Sequence, residues 1–124
     1  VLTDEQIRVA IEKVKRPESN HEHPDCVRIA YAWLDAQANT KHAQQSMRPL
    51  KHIIERWGGR YVSQTDVEAA ALLHPRIKGS YPSYNISSRL IEPSDARLAP
   101  IGQAFAHDYR DRHSLKDYAR REES

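Results

Sequence analysis

Apolar residues recur along most of the chain at the three-to-four spacing of an amphipathic helix. In the first such stretch Ile7, Ala10, Ile11 and Val14 fall on one face. Thr3 and Gln6 have the spacing of a capping box, and Leu2 and Ile7 that of a hydrophobic staple. Lys15 and Arg16 suit the negative end of the helix dipole, and Pro17 stops the helix.

A second helix is expected from Pro24, a favoured first-turn residue, with Asp25 beside it. Its stripe is Cys26, Ile29, Ala30 and Trp33, widened by Val27, Tyr31 and Leu34. Asn39 to Ser46 is polar and reads as a loop or a frayed turn. A third helix runs from about Pro49 to Trp57, with Leu50, Ile53, Ile54 and Trp57 inward and Gly58-Gly59 closing it. Thr65 and Glu68 form a further capping-box pair, with Ser63 as an alternative cap. The Ala- and Leu-rich stretch Val67–Leu73 then forms a short helix that ends at His74-Pro75.

The rest is less regular. Arg60-Tyr61-Val62 is a short strand or an extended entry. Arg76–Pro82 is a loop with Gly79 and Pro82 as turn residues. Tyr84–Ile91 alternates as a strand does, yet Ser83 or Asn85 would also cap a short helix there. Pro100 is placed to launch a helix carrying Ile101, Ala104, Phe105 and Tyr109 on one face. Arg110–Ser124 is mostly charged, with opposite charges four apart at Asp108–Arg112 and Asp117–Arg121, as on a solvated helix.

These elements predict a mainly α fold, a single small helical domain of about five helices. A helix-turn-helix or winged-helix-like arrangement is one form of it, with a short hairpin near 60–62 and 84–90. Residues 1–109 make the domain and 110–124 a charged, exposed C-terminal helix or tail. The expected core is Ile7, Ile11, Val14, Ile29, Ala30, Trp33, Leu50, Ile53, Ile54, Trp57, Val67, Ala70 and Phe105.

Composition narrows the class. With 124 residues, 39% hydrophobic residues and a mean hydropathy of −0.80, the chain has material for one modest core. No apolar run is long enough to span a bilayer, so no membrane partner is expected. One cysteine, Cys26, excludes an internal disulfide framework. The start lacks a basic-then-apolar leader, and the expected location is cytoplasmic.

The net charge of +2 hides an uneven distribution. Residues 41–89 hold eight Lys/Arg against three Asp/Glu, while both flanks are slightly acidic. In the same region Tyr, Ser and Asn interleave with the cations, densest in Arg76–Asn85. Lys and Arg neutralise phosphates, and Ser, Tyr and Asn reach phosphate oxygens or base edges. The expectation is a non-enzymatic nucleic-acid-binding protein, with DNA as partner. Arg48, Lys51, Arg56 and Arg60 would grip the backbone. Arg76, Lys78, Tyr81, Asn85 and Arg89 would lie nearest the groove, with Val67–Leu73 and Tyr84–Leu90 as the two helices of a helix-turn-helix.

The alternative is a helical protein-interaction module or inhibitor that uses exposed Tyr, Trp and Arg on another protein. A distant third is a metal site on His21, His23 and Cys26, whose donors are suitable but lack a paired Cys-x-x-Cys or His-x-x-x-His. The ordinary reading of those three is a core cysteine and two solvated histidines, so no metal and no cofactor are expected. No catalytic residue is assigned: there is no Gly-rich phosphate loop, and His107–His113 reads as a salt-bridged face.

Overall fold

A computed structural model describes residues 2–14, 21–43 and 49–123. The fold is mainly α, with four α-helices and short strands among the described residues. Helix α1 (Asp4–Lys13) starts at Thr3, whose side chain accepts from the Gln6 amide while the Gln6 side chain accepts from the Thr3 amide. Helix α2 (Pro24–Asp35) has Pro in its first turn and His23 as N-cap. Helix α3 (Leu50–Gly58) ends on Gly59, left-handed at φ 65°. Helix α4 (Gln64–Leu73) stops at His74, before Pro75. The stop assigned to Pro17 lies outside the described residues. No helix is long and apolar enough to cross a membrane among the described residues.

Helix α4 is central, packed between α1 and α2. Its run of alanines explains this: Ala69, Ala70 and Ala71 are buried and let neighbouring backbones come close. Trp33 and Trp57 are fully buried large side chains of the core. The Trp57 indole N–H donates to the Pro93 carbonyl at 3.1 Å.

The cap of α4 is Ser63, not Thr65. Ser63 Oγ accepts from the Asp66 amide, and the Asp66 carboxylate accepts from the Ser63 amide. Thr65 is buried inside the helix. Starting the helix at Gln64 sets Val67 and Ala70 inward, so core packing decides between two possible caps.

Beyond α4 the chain departs further from expectation. Strands β1 (Gly79–Ser80) and β2 (Ser83–Tyr84) form an antiparallel hairpin around Tyr81-Pro82. The hairpin thus lies at 79–84, and 60–62 is an irregular link that joins no strand. Tyr84–Leu90 is not helical: after β2 it makes an isolated bridge, Asn39 to Ile86, and turns. The second helix of the expected helix-turn-helix is therefore absent, because Asn85 fastens this segment to Lys78 and Arg76 instead of capping a helix.

No α-helix follows Pro100 among the described residues. The Phe105 and His107 amides donate to the carbonyls of Gly58 and Gly59, and Arg110 donates to the carbonyl of Trp57. Residues 105–110 thereby satisfy the open carbonyl end of α3, which a helix over 101–109 would leave bare. Phe105 takes φ 64° and is 51% exposed, with the Arg110 guanidinium over its ring. It is not a core residue. Ile11 is only partly buried, at the rim of the core.

The C-terminal stretch is also not an α-helix. Short 3-10 turns at Asp95–Leu98, Asp108–Arg112 and Leu115–Asp117 lead into β4 (Arg120–Arg121), which runs parallel to β3 (Ile91–Glu92). Buried Gln37 holds β3 in place, its side-chain amide bonding both the N–H and the carbonyl of Ile91. Charges here pair across elements: Arg97 with Glu122, Arg110 with Asp95, and Arg121 with Glu92.

Candidate interaction surface

The nine residues expected to meet nucleic acid fall into different settings. Arg48 lies outside the described residues. Arg60 has a side chain only 7% exposed. Its guanidinium donates to Glu22 at 2.7 Å, to the Gln103 side chain at 3.1 Å and to the Tyr61 carbonyl at 3.2 Å. Asn85 is buried: its side-chain oxygen accepts from the Lys78 amide at 2.7 Å and its amide donates to the Arg76 carbonyl at 2.9 Å. These two residues build the fold with the groups that were expected to meet nucleic acid.

Arg76 is exposed and pairs with Asp35 at 2.9 Å, which also receives His74 and Arg97. Lys51 stands 3.6 Å from Glu55 and over the ring of Tyr61. Arg56 is half-buried on α3; Lys78 and Arg89 are exposed. The structure does bring Lys51 and Tyr81 together at the hairpin, through the backbone of Lys51: its amide donates to the Tyr81 hydroxyl at 3.2 Å. Burial raises the phenol pKa of Tyr81 above the ordinary value.

Helix α4, expected as the first helix of the pair, carries no Lys or Arg to meet a phosphate. Buried Thr65, Asp66, Val67, Ala69, Ala70 and Ala71 occupy most of it. Its outer stripe, at four-residue spacing, is Gln64, Glu68 and Leu72, with no cation.

That stripe leads into a groove. A cavity of about 340 Å³ opens between the end of α1, α4 and the hairpin. Val14, Ala71, Ile77, Tyr81 and Tyr84 form apolar parts of its wall, and Lys13, Glu68 and Ser80 add polar ones. Leu72 lines it too and is 59% exposed. In the helical pattern Leu72 stands one turn beyond Glu68 on the polar side of α4, a misplacement visible in the sequence. The groove itself was not visible, because Lys13 and Tyr81 meet only after α1 and the hairpin dock on α4.

The histidine cluster resolves into separate contacts. His21 Nδ1 lies 2.7 Å from Asp66, and His23 Nδ1 accepts from the Asp25 amide. Cys26 is fully buried, and burial pushes its thiol up to about 12. Among the described residues no three His, Cys, Asp or Glu side chains gather as a metal site. Ser63, Asp66 and His21 are linked, but the carboxylate stands between hydroxyl and imidazole. A nucleophilic triad needs the imidazole in the middle. His74–Asp35, His113–Glu92 and His52–Glu55 pair likewise, each with at least one buried partner. Searches of protein-family models, curated proteins and solved structures return no match to this chain.

Proposed function

We propose that this domain is a protein-binding module that receives its partner in the groove between α1, α4 and the β1–β2 hairpin. The observation that carries this reading is Leu72, more than half exposed at an opening lined by Val14, Ala71, Ile77 and two tyrosines. A large apolar side chain held in water beside apolar walls gains free energy when a partner covers it. Tyr81 and Tyr84 suit such a surface, since each offers a broad apolar ring and a polar tip. The test is a photo-crosslinking amino acid placed at position 72, and separately at exposed position 112, in the native host. Discrete protein adducts from position 72 alone support the reading; equal labelling from both positions, or none, defeats it.

A second reading keeps nucleic acid as the partner in a narrower form. Lys41, Lys78 and Arg89 are exposed, and the 40–43 segment runs beside the hairpin, where Thr40 bonds Asn85. Duplex DNA affinity that falls linearly with salt on logarithmic axes, and drops when Lys41 and Lys78 are neutralised, would favour it.

A further inference from the structure

We infer that a second cleft, bounded by α1, α2 and the turn after Leu98, binds a neutral small molecule with an apolar body and a carbonyl acceptor. The cleft measures about 720 Å³, roughly twice the groove, and shares none of the residues named for the groove. Small-molecule sites span on the order of 300–1,000 Å³ and set a few polar groups in a mainly apolar wall. The inference stands apart from the protein-binding reading.

The wall gives the apolar body its place. Leu2, Leu73, Pro100 and Ile101 line the cleft, drawn from the start of α1, the end of α4 and the turn after Leu98. Tyr31 reaches in from α2, and its ring lies 4.9 Å from the His74 ring.

The polar groups of the lining are acceptors already in use and donors to spare. Asp25 Oδ1 accepts from Arg28 at 2.7 Å, and Oδ2 accepts from the Gln103 amide at 3.1 Å. The Gln6 side-chain oxygen accepts from the Thr3 amide at 2.8 Å. The Gln6 side-chain nitrogen and the Tyr31 hydroxyl donate to no group among the described residues. Arg97 uses one N–H on each of its three nitrogens, two toward Glu122 and one toward Asp35. A guanidinium has five, so two remain. A ligand that supplies acceptors matches this lining.

Charge then selects among acceptors. Arg28 is paired with Asp4 and Asp25, and Arg97 with Asp35 and Glu122. With four carboxylates on two guanidiniums, and Arg76 adding its charge at Asp35, no positive surplus is left to hold an anion. An ammonium would bring further donors to a donor-rich wall. The oxygen of an amide, ester or ketone meets both conditions.

Gly102 supplies the test. It lines the cleft, and a Cβ there would meet Asp25 Oδ2 at 3.6 Å, an ordinary contact. Gly102→Leu thus fills the cleft without a backbone clash. The experiment titrates the full chain, labelled with nitrogen-15, with para-butylbenzamide, para-butylbenzoate and para-butylbenzylammonium. The expected result is saturable shifts at Gln6, Arg28, Tyr31 and Ile101 with the benzamide, and weaker binding of the two ions. Tyr31→Phe should weaken the benzamide about threefold to tenfold, and Gly102→Leu should abolish its binding. Thermal melting checks that both variants fold; if Gly102→Leu melts below the parent, Tyr31→Phe decides alone. Benzoate or ammonium binding as tightly as the amide, or no saturable shift with any probe, would overturn the inference. Amide binding untouched by both substitutions would overturn it as well.

Discussion

The indole N–H of Trp33 donates to the hydroxyl of Tyr118 at 3.0 Å, a bond between residues 85 apart in sequence. Trp33 is fully buried on α2, and Tyr118 closes over it from the C-terminal segment. Tyr118→Phe keeps the ring and leaves the indole N–H without this acceptor, at a cost of about 1–3 kcal/mol. Trp33→Ala removes the core side chain as well and should cost about 3–5 kcal/mol. Urea unfolding of the two variants tests the order. A Tyr118→Phe protein with the parent midpoint would show that the bond is not made.

Gly59 is a second sensitive point. It holds φ 65°, and a Cβ there would lie 3.0 Å from the Cα and a ring carbon of Phe105. Gly59→Ala should therefore cost more than the ~1 kcal/mol of the left-handed backbone alone. Gly59→Asn tolerates that backbone better but meets the same contact, so it should be destabilised too. Thermal melting of both variants checks this.

Arg60 and Lys78 separate a structural cation from a surface one. Arg60→Ala removes the charge-assisted bond to Glu22 and those to Gln103 and Tyr61, and should cost at least ~1.5–3 kcal/mol. Lys78→Ala changes an exposed side chain, with an expected effect within about 0.5 kcal/mol. Equal stabilities of the two variants in chemical denaturation would contradict this assignment.

Acid should loosen the C-terminal segment. The hydrogen bond from Arg97 holds the Glu122 carboxyl below the ordinary carboxylate range. For Asp35 burial pushes upward, but bonds from Arg97 and His74 outweigh it and the net direction is also down. A carboxylate with a lowered folded pKa adds stability above the unfolded value, near 4, and loses it as pH falls through the folded value. Stability should thus decline as pH drops below about 5. Arg97→Met should be less stable at neutral pH and lose less on acidification. Unfolding midpoints at neutral and acidic pH measure both, and an unchanged pH slope in the variant would contradict the Arg97 assignment.

The four α-helices were legible in the sequence because their causes are local. Thr3 with Gln6, Pro24 in a first turn, Gly59 after a last turn and Pro75 after α4 act within a few residues, and the apolar stripes between them repeat at helical spacing. Twelve of the thirteen expected core residues lie in those helices or just after α1; eleven of them are buried, and Ile11 is partly so. The nine site residues were chosen by charge and hydrogen-bonding type, and type does not say where a group is used. Only the tertiary structure brings Glu22 and Gln103 to Arg60, and Lys78 and Arg76 to Asn85, turning an expected phosphate contact and an expected groove contact into parts of the frame. The same holds for 101–110, which has the pattern of a helix. The Phe105 and His107 amides and the Arg110 guanidinium instead answer carbonyls at the C-terminal end of α3 and its cap, more than forty residues earlier in the chain. Capping and periodicity are short-range, so one sequence displays them. Which polar group meets which distant partner depends on how the helices dock, and that information resides in the packed core.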